Sequence, residues 1–398
     1  MTRSPYLIVG GGMTAHAAAR AIRELDPEAP IALLSAEPHP PYARPPLSKK
    51  LWTGGSEESI WLEPVSGLDL RLGRRALSLD RQERLVLDDR GEVHGYERLL
   101  LATGGTPRRL AWRDPRIVHY RTLQDFRSVR DALARGERRV AVVGGGFIGS
   151  EMAASLAVNG AAVTAIFPGP YLCSRAFPAD LGGYVTGYYR DRGVAVWAGD
   201  RLAGVTASAE GLLLRTERGR AVTVDLVVAG LGIEPRVDLA RAAGLAVGDG
   251  IEVDASLRTS DPDIWAAGDV ASYPSPIDGR RLRVEHEDNA LTMGRAAGLS
   301  MAGEALQYAH LPFFYSDLFD LGYEAVGELD ARHEVVAEWR VPNREGILYY
   351  LAGGRVCGVL LWNVWGQVDA ARELIREGRD AGERPSLPRG EPPRPAQP

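Results

Sequence analysis

The segment PPYARPPLSKKLW, residues 40–52, contains the only two lysines of the chain, Lys49 and Lys50. The chain has 47 lysine and arginine residues in total, so all the other basic residues are arginine. An ammonium group is a compact point charge, whereas a guanidinium group is a planar fork that stays charged. A lysine kept in so arginine-rich a chain therefore indicates a site that needs a small cation.

Composition and cysteine usage exclude several classes of protein. The 398 residues carry a formal net charge of −5 and are 45% hydrophobic, which gives no attraction to nucleic acid or to anionic membranes. Cys173 and Cys357 lack the spacing of a disulfide scaffold or a zinc site, and no metal is expected. An apolar strand begins at Tyr6 and leaves no room for a signal peptide. We expect a soluble, cytoplasmic protein of two or three domains with no nucleic-acid or membrane partner.

The first glycine-rich segment follows an apolar strand near the start of the chain. Gly10, Gly12 and Ala15 form the pattern G-x-G-x-x-A, and a helical pattern follows. Such glycines allow a tight turn and let a pyrophosphate approach the free N–H groups of the helix N-terminus. The next strand is followed by Glu37, an acid that would bind the ribose hydroxyls of an adenosine. This setting predicts a dinucleotide-binding domain rather than a plain turn.

The second glycine-rich segment repeats the unit at residues 138–168. Gly144, Gly146 and Gly149 form G-x-G-x-x-G between an apolar strand and an alanine-rich helix. No acid follows the next strand, and the nearest charge is Arg175. The usual group that selects NADH is therefore missing, and an arginine within reach would tolerate a 2′-phosphate. The segment predicts NAD(P)H binding, with NADH and NADPH both open.

Two further segments connect the glycine-rich units. LLLATGGTPRRL, residues 99–110, is a strand that runs into a Thr-Gly-Gly-Thr-Pro crossing between domains and includes Thr103. DIWAAGDVASY, residues 263–273, is a short strand that ends in Gly268 and Asp269. Alone, Asp269 would be interpreted as a helix cap. Beside two dinucleotide motifs, it is predicted to hydrogen-bond a ribityl chain or a phosphate.

The hydrophobic pattern of the sequence changes from Leu311 onward. Short apolar segments separated by glycine and Pro-Asn turns predict a run of strands, and VWGQVDAARELIREG predicts a closing amphipathic helix. The last residues, RPSLPRGEPPRPAQP, are proline-rich and predict a disordered tail.

These motifs, in this order, resemble the ferredoxin-reductase-like flavoproteins of the pyridine nucleotide oxidoreductase superfamily, and most of all the apoptosis-inducing factor branch. The resemblance covers nearly the whole chain and is carried by PPYARPPLSKKLW, LLLATGGTPR, GGGFIGSEMA, VVAGLGIEP, IWAAGDVA, RVEHEDNA, FFYSDLFDLGYEAVGE and GVLLWN. It implies an α/β fold with two Rossmann-like dinucleotide-binding domains in a glutathione-reductase-like FAD/NAD(P)H arrangement, plus a C-terminal α+β domain. The implied boundaries are 1–113 and 235–310 for the FAD-binding domain, 114–234 for the NAD(P)H-binding domain, 311–383 for the C-terminal β-rich domain and 384–398 for the tail.

The resemblance implies FAD and NAD(P)H as cofactors and names residues around each. The residues that it places at FAD are Gly10, Gly12, Ala15, Glu37, Arg44, Lys49, Thr103, Arg121, Asp269, Glu285 and His286. The residues that it places at the nicotinamide dinucleotide are Gly144, Gly146, Gly149, Glu151, Arg175, Gly232, Glu324 and Asn363. Tyr315 takes the place of a tryptophan that stacks near the nicotinamide and the flavin. Core packing stays open for Tyr315, and a structural turn stays open for Asn363.

The resemblance also gives Lys49 a catalytic role together with Glu151, at the start of the second glycine-rich helix. Negative charge develops on a flavin that accepts a hydride, and a compact cation near its N5 and O4 stabilises that charge. The pair would hold the lysine charged and would link the two domains across the flavin, where the larger fork of an arginine would crowd the nicotinamide. The plainer alternative for Glu151 is a first-turn acid that the helix dipole favours. Lys50 is expected to be a surface residue.

Two functions follow from these expectations. The first is a FAD-dependent NAD(P)H oxidoreductase that passes electrons to a ferredoxin, a rubredoxin or a similar iron–sulfur carrier. The second is a redox-sensing flavoprotein of the apoptosis-inducing factor type, with slow turnover, a long-lived charge-transfer complex and an option of homodimer formation. RVEHEDNA and GYEAVG favour the second, whereas the missing insertion in the C-terminal domain favours the first. The absence of a cysteine pair near the glycine-rich segments argues against disulfide reduction.

The sequence departs from the apoptosis-inducing factor pattern at two positions that bear on nucleotide binding. Ala36 stands where an acid often precedes Glu37, and Gly169 stands where an acid selects NADH.

Overall fold

The structure is a computed structural model that describes residues 2–378. The predicted tail, 384–398, lies outside the described residues, as do residues 379–383 at the end of the predicted C-terminal domain. The chain forms two compact units. Unit 1 consists of residues 2–44, 57–106 and 234–312, and unit 2 consists of residues 45–56, 107–233 and 313–378. The domain boundaries expected from the sequence stay predictions.

The helices and strands up to the second glycine-rich segment are β1 Thr2–Val9, α1 Met13–Leu25, β2 Ile31–Leu34, β3 Leu68–Arg71, β4 Ala76–Asp80, β5 Leu85–Asp88, β6 Val93–Leu101, β7 Gly105–Pro107, β8 Ile117–His119, α2 Leu123–Ala134 and β9 Arg139–Val143. From the second glycine-rich segment to residue 235, the elements are α3 Phe147–Val158, β10 Ala162–Phe167, α4 Ala179–Asp191, β11 Ala195–Ala198, β12 Leu202–Ser208, β13 Gly211–Thr216, β14 Ala221–Val224, β15 Leu226–Ala229 and β16 Ile233–Pro235.

The remaining elements are α5 Asp238–Ala242, β17 Val247–Gly248, β18 Gly250–Glu252, β19 Ile264–Ala266, β20 Ala271–Pro274, β21 Arg281–Leu282, α6 Glu287–Met301, β22 Phe313–Leu318, β23 Leu321–Gly327, β24 Glu334–Val341, β25 Glu345–Ala352, β26 Arg355–Trp362 and α7 Val368–Glu377. Short 3-10 helices cover Pro45–Ser48, Lys50–Trp52, Glu57–Ile60 and Gly268–Val270.

Unit 1 is built on a seven-stranded sheet. Its strands run in the order β3-β2-β1-β6-β5-β4, and β19 also pairs with β6. The strands β3, β2, β1, β6 and β19 are parallel, and β2 is buried along its whole length, as expected when helices or other layers cover both faces. Helix α6 packs against α1 through Gly294 and Gly298, where a Cβ would lie 2.4 Å from the carbonyl oxygens of Thr14 and Ala18. These two glycines therefore allow the backbones of the two helices to meet.

Unit 2 contains a second parallel sheet and two antiparallel sheets. The parallel sheet has the order β11-β10-β9-β15-β8, and α3 connects β9 to β10. A three-stranded sheet follows the order β12-β13-β14. The part from Phe313 forms a five-stranded sheet in the order β22-β23-β26-β25-β24, and α7 packs on β23 and β26 through Ala371, Leu374 and Ile375.

The prediction of two Rossmann-like regions and a further C-terminal α+β part is confirmed. Each glycine-rich segment lies between a buried parallel strand and a helix, which is the local arrangement that the sequence pattern predicted. Within residues 2–378, no helix has the length and apolar character needed to cross a membrane.

Candidate functional site

The first glycine turn leaves an open face at the start of α1. Gly10 has a φ of +132°, and a Cβ there would lie 2.1 Å from the carbonyl oxygen of Ala102, so only glycine fits. Gly12 precedes α1 without a side-chain cap, and the nearest atom to a Cβ there is Nη2 of Arg44 at 4.0 Å. Ala15 is fully buried. Uncapped N–H groups beside open space are what a pyrophosphate requires, so this turn fits the predicted dinucleotide.

Three polar side chains converge next to this turn, at the carboxyl end of β2. The carboxylate of Glu37 accepts hydrogen bonds from Arg44 at 2.5 Å and from the hydroxyl of Tyr42 at 2.6 Å. Burial would lower the pKa of Arg44, but Tyr42, Glu37 and the more distant charge of Asp269 outweigh it and raise that pKa above its ordinary value. The structure thus brings Glu37, Arg44 and Asp269 together, as the predicted FAD site requires.

Asp269 reaches this edge because its neighbour is a glycine with a φ of +76°. A Cβ on Gly268 would lie 2.3 Å from Oγ1 of Thr14, so the turn can approach the start of α1 closely. Arg283 donates to the carbonyl oxygen of Asp269 at 3.2 Å and to the carboxylate of Glu285 at 2.6 Å. The same guanidinium therefore fixes two of the predicted FAD residues.

Two other residues predicted at FAD have clear local settings in unit 1. Desolvation by the surrounding protein lowers the pKa of His286 to about 4, although Asp269 and Asp288 act in the opposite direction, so the imidazole is neutral at physiological pH. The hydroxyl of Thr103 donates to the carbonyl oxygen of Arg236 at 2.8 Å. This bond links two stretches of unit 1 that are far apart in the sequence. A cofactor contact by either side chain stays a prediction.

The second glycine turn, in unit 2, has the same design. Gly144 has a φ of +123°, and a Cβ there would lie 2.3 Å from the carbonyl oxygen of Gly230. A Cβ on Gly149 would lie 2.0 Å from the carbonyl oxygen of Gly144, so the helix can start directly beside the turn. Gly146 precedes α3 without a side-chain cap, and apart from its own helix and chain neighbours no atom of the described residues lies within 4 Å of a Cβ placed there. This turn also fits a dinucleotide pyrophosphate.

One face of α3 holds the lysine segment. Glu151, Ser155 and Asn159 are spaced by four residues and therefore lie on the same side of the helix. The hydroxyl of Ser155 donates to the carbonyl oxygen of Ser48 at 2.8 Å, and the amide of Asn159 donates to the carbonyl oxygen of Trp52 at 2.9 Å. These bonds fix both ends of the segment that carries Lys49.

Glu151 is the centre of a buried polar cluster. Its Oε1 lies 2.7 Å from Nζ of Lys49 and accepts a hydrogen bond of 2.6 Å from Ser316, while its Oε2 accepts one of 2.5 Å from Ser48. The side chains of Lys49 and Glu151 are only 10% and 3% exposed. The ammonium also lies 5.2 Å from the ring centre of Tyr315, on β22. The structure therefore brings together Lys49 and Glu151, the pair that the resemblance implied, and places Tyr315 beside the ammonium.

The other residues predicted in unit 2 lie on several different stretches of the chain, and one of them, Glu324, is the cross-strand partner of Tyr315. Arg121 comes just before α2, where its amide donates to Asp125, and Gly232 is exposed with a φ of +79°. Arg175 is exposed on the stretch after β10, and the carboxylate of Glu324 accepts a bond from the amide of Gly366 at 3.1 Å. Both ends of the Asn363 amide bind backbone, at Gly322 and at Arg344, which supports a structural turn. Their cofactor contacts stay predictions.

The two cysteines are free thiols. Cys173 is buried next to Ser150, with its Sγ 3.6 Å from the serine hydroxyl, and burial raises the pKa of its thiol to about 12. A thiol with so high a pKa is not a nucleophile at physiological pH. This observation agrees with the sequence-based argument against disulfide chemistry.

Asp88, Glu92 and His94 in unit 1 have the spacing of a metal site, but arginines already occupy it. Asp88 and Glu92 both accept hydrogen bonds from Arg74, and Arg71 donates to Glu92 and to Nδ1 of His94. Since Nδ1 is an acceptor, Nε2 of His94 donates to Asp88 at 3.0 Å. Burial alone would raise the pKa of Asp88, but the bonds from Arg74, His94 and nearby amides hold that pKa far below its ordinary value.

An Asp88→Asn variant is expected to lose about 3 kcal/mol of stability at neutral pH, because Arg74 loses a buried anionic partner. The folded-state pKa lies below the unfolded one, so this contribution is present above about pH 4 and disappears as the pH falls further. Urea unfolding of both proteins between neutral pH and pH 3 should show a difference in stability that is constant above about pH 4 and begins to shrink below it. Asp89→Asn, at an exposed neighbour, is the matched control, and equal losses at all pH values would contradict the assignment.

Comparison with known proteins gives the family. Residues 4–294 match the family model described as pyridine nucleotide-disulphide oxidoreductase. The chain belongs to this family. FAD and NAD(P)H are the cofactors of such oxidoreductases, and the expected family, enzyme class and cofactors are thereby confirmed.

Relatives of this oxidoreductase include ferredoxin reductases and apoptosis-inducing factor. The chain is 37% identical to the ferredoxin–NAD(+) reductase component of the anthranilate 1,2-dioxygenase system of Burkholderia cepacia, over 95% of each chain. It is 33% identical to apoptosis-inducing factor 1 of Dictyostelium discoideum, over 94% of this chain and 78% of that one. The ferredoxin reductase structure from Rhodopseudomonas palustris superposes with a TM-score of 0.83 at 32% identity and covers 90% of this chain and 91% of its own.

Sequence reasoning missed the residues that complete these clusters. Ser48 and Ser316 satisfy the Glu151 carboxylate, and Tyr42 bridges Glu37 and Arg44. Their position in the sequence is the signal that could have found the two serines, because Ser48 precedes Lys49 and Ser316 follows Tyr315 in motifs that carry the resemblance.

Proposed function

We propose that this oxidoreductase moves a hydride from NAD(P)H to FAD and passes the electrons to a small iron–sulfur carrier such as a ferredoxin or rubredoxin. Bound FAD would supply the step from two-electron to one-electron chemistry, so one NAD(P)H would reduce two one-electron carriers. The observation that carries the proposal is the ion pair of Lys49 and Glu151, buried to 10% and 3% exposure. A charge pair so far removed from water is costly unless it has a task or a set of partners.

Each group has a role in this proposal. Gly12 and the uncapped start of α1 would hold the FAD pyrophosphate. Glu37, whose carboxylate accepts hydrogen bonds from Arg44 and Tyr42, would also bind the adenosine ribose. Gly146 would admit the NAD(P)H pyrophosphate. The Lys49 ammonium would stabilise the negative charge of the reduced flavin, as the resemblance implies.

Glu151 would act as a positioning residue in the same scheme. It holds the Lys49 ammonium at 2.7 Å, while hydrogen bonds from Ser48 and Ser316 occupy both of its oxygens. A carboxylate that is bound on both oxygens has one orientation, so the cation is held in one place before the cofactors arrive. Such preorganisation is what charge stabilisation in an enzyme requires.

The acceptor is proposed from the relatives and from the chemistry of the thiols. The Burkholderia relative is a ferredoxin–NAD(+) reductase component. A putidaredoxin reductase, solved in a covalent complex with putidaredoxin, superposes on the chain with a TM-score of 0.88 at 28% identity. The free, protonated Cys173 offers no thiolate to a disulfide substrate. A protein carrier in the cytoplasm is the acceptor that fits these points.

The test is anaerobic stopped-flow mixing of the purified yellow protein with NADH and with NADPH, followed by assays of cytochrome c reduction. The proposal expects rapid bleaching of the flavin band without a persistent long-wavelength band. It also expects cytochrome c reduction that becomes fast only after a ferredoxin or rubredoxin is added. Failure of every such carrier to accelerate the assay would overturn the acceptor.

A redox-sensing role is the second proposal, supported by the relation to apoptosis-inducing factor and by the motifs RVEHEDNA and GYEAVG. It expects slow reduction that ends in a stable long-wavelength complex, and a change from monomer to homodimer by light scattering. The same stopped-flow experiment therefore separates the two proposals.

Replacement of Lys49 by arginine is expected to keep FAD bound and to slow flavin reduction about tenfold, because the larger guanidinium would keep the charge but crowd the nicotinamide. Stopped-flow reduction rates and the bound FAD content provide the measurement. Lys50→Arg, the same change at the exposed neighbour, is the control and should match the wild type. Equal rates in both variants would remove the argument for a small cation.

A further inference from the structure

The stretch that follows β10 lines the second glycine turn. The amide of Cys173 donates to the carbonyl oxygen of Gly145 at 2.7 Å, which ties residues 168–175 to the turn. In a dinucleotide-binding βαβ unit, the residues after this second strand meet the ribose of the adenosine. An acid there binds the 2′-hydroxyl of NADH, and a basic group there binds the 2′-phosphate of NADPH.

This stretch offers no acid to a ribose. Residues 168–178 contain no aspartate or glutamate. At Gly169 the space next to the backbone is taken by Ser174, whose Oγ would lie 2.4 Å from a Cβ on the glycine. A hydroxyl thus stands where the side chain of an acid would begin. A serine hydroxyl can donate to a phosphate oxygen, and residues 168–178 contain no carboxylate that would repel a phosphate.

The neighbouring strand brings an arginine to the same edge. The amide of Gly199, just after β11, donates to the carbonyl oxygen of Gly169 at 2.8 Å. The guanidinium of Arg218 lies beside Gly199, and its Nη2 is 3.4 Å from a Cβ placed on that glycine. Arg218 is exposed, and within residues 2–378 it forms no ion pair. Gly199 therefore contacts both Gly169 and the exposed guanidinium of Arg218.

Asp200, the acid next to Gly199 in the sequence, is buried. Its Oδ1 accepts the amides of Arg201 at 2.9 Å and Arg218 at 3.2 Å. Burial would raise the pKa of Asp200, but bonds from Thr216 and these amides outweigh it and lower that pKa. Through these bonds, the carboxylate links the backbone at Arg201 to the backbone at Arg218. Nε of Arg220 lies 4.0 Å from the other carboxylate oxygen. The exposed Glu217 is the other acid of this turn.

We propose that the end of β10 and β11 forms a 2′-phosphate subsite from Gly169, Ser174 and Arg218, so that the chain takes NADPH in preference to NADH. This inference rests on the proposed function for the use of the nucleotide, but the subsite itself is a binding property. It differs from what the name of the Burkholderia relative, an NAD(+) reductase component, would suggest.

The test measures binding of nucleotide fragments by calorimetry to the purified holoprotein. We expect 2′,5′-ADP to bind about tenfold more tightly than 5′-ADP, the gain expected from one charge-assisted contact. 3′,5′-ADP carries the same added charge on the neighbouring hydroxyl and should show no such gain, which separates a 2′-subsite from general attraction of phosphate. Equal binding of 2′,5′-ADP and 5′-ADP, an equal gain with 3′,5′-ADP, or no binding of any fragment would overturn the proposal.

Variants localise the effect. Arg218→Ala should remove the advantage of 2′,5′-ADP, and Gly169→Glu should reverse it. Arg190→Ala removes an exposed arginine from α4 in the same unit and should leave the advantage unchanged. Loss of the advantage in Arg190→Ala would also overturn the assignment. Rapid reduction of the flavin by NADH with no fragment preference would refute the subsite and leave the reductase proposal intact.

Discussion

Replacement of Glu151 by alanine is expected to slow flavin reduction by NAD(P)H about a hundredfold, the usual loss when one preorganised charge-stabilising contact is removed. The variant leaves the Lys49 ammonium, only 10% exposed, without the carboxylate that now lies 2.7 Å away. A buried cation without a counter-charge favours losing its proton or moving towards water. Either change would remove the positive charge that the proposed mechanism needs beside the reduced flavin.

Two further variants separate charge from shape in this experiment. Glu151→Gln keeps the volume of the side chain and an acceptor for Ser48 or Ser316, but it removes the negative charge, so its rate should fall between those of the wild type and Glu151→Ala. Combining Glu151→Ala with Lys49→Ala should add little to the single losses, because the two residues act as a unit. Thermal unfolding checks that each variant is folded. A folded Glu151→Ala protein with an unchanged reduction rate would contradict the role of the pair.

The glycine turns could be predicted because their chemistry is local. Gly10 and Gly144 have positive φ values and sit against a neighbouring carbonyl, and the strand–glycine–helix pattern that demands this lies within a few residues of sequence. The pairing of Lys49 with Glu151 is different, because the two are 102 residues apart. No spacing rule connects them, and only the resemblance to a family suggested the pair.

The partners of single polar groups could not be predicted, because they depend on packing between distant segments. Ser316 reaches Glu151 across 165 residues, and the Thr103 hydroxyl is taken by the carbonyl of Arg236. In the same way, residues 45–56 belong to unit 2 although their chain neighbours belong to unit 1. The bonds from α3 that hold this segment are non-local, so the composition of the segment gives no sign of them.

A Gly149→Ala variant is expected to lose about 3 kcal/mol of stability and its binding of NAD(P)H, because the new methyl group overlaps backbone that cannot move aside cheaply. The Cβ would lie 2.0 Å from the carbonyl oxygen of Gly144 and 2.8 Å from the carbonyl carbon, so either the turn or the helix start must shift. Urea unfolding gives the stability, and fluorescence titration with NAD(P)H gives the affinity. A stable variant that binds normally would show that the turn is not the nucleotide cradle.

Gly146→Ala distinguishes damage to the fold from damage to the site. Among residues 2–378, nothing beyond the helix itself and the chain neighbours lies within 4 Å of a Cβ at Gly146, so the methyl group should cost little stability. It would nevertheless occupy the open face that a pyrophosphate needs. We expect near-normal unfolding and at least about tenfold weaker NAD(P)H binding, with the FAD content unchanged. Gly12→Ala, at the equivalent turn of unit 1, should instead reduce the FAD content, because its methyl group would occupy the open face beside Arg44. If either variant lost both nucleotides equally, the assignment of one dinucleotide to each glycine turn would fail, because each methyl group fills a cradle in a different unit.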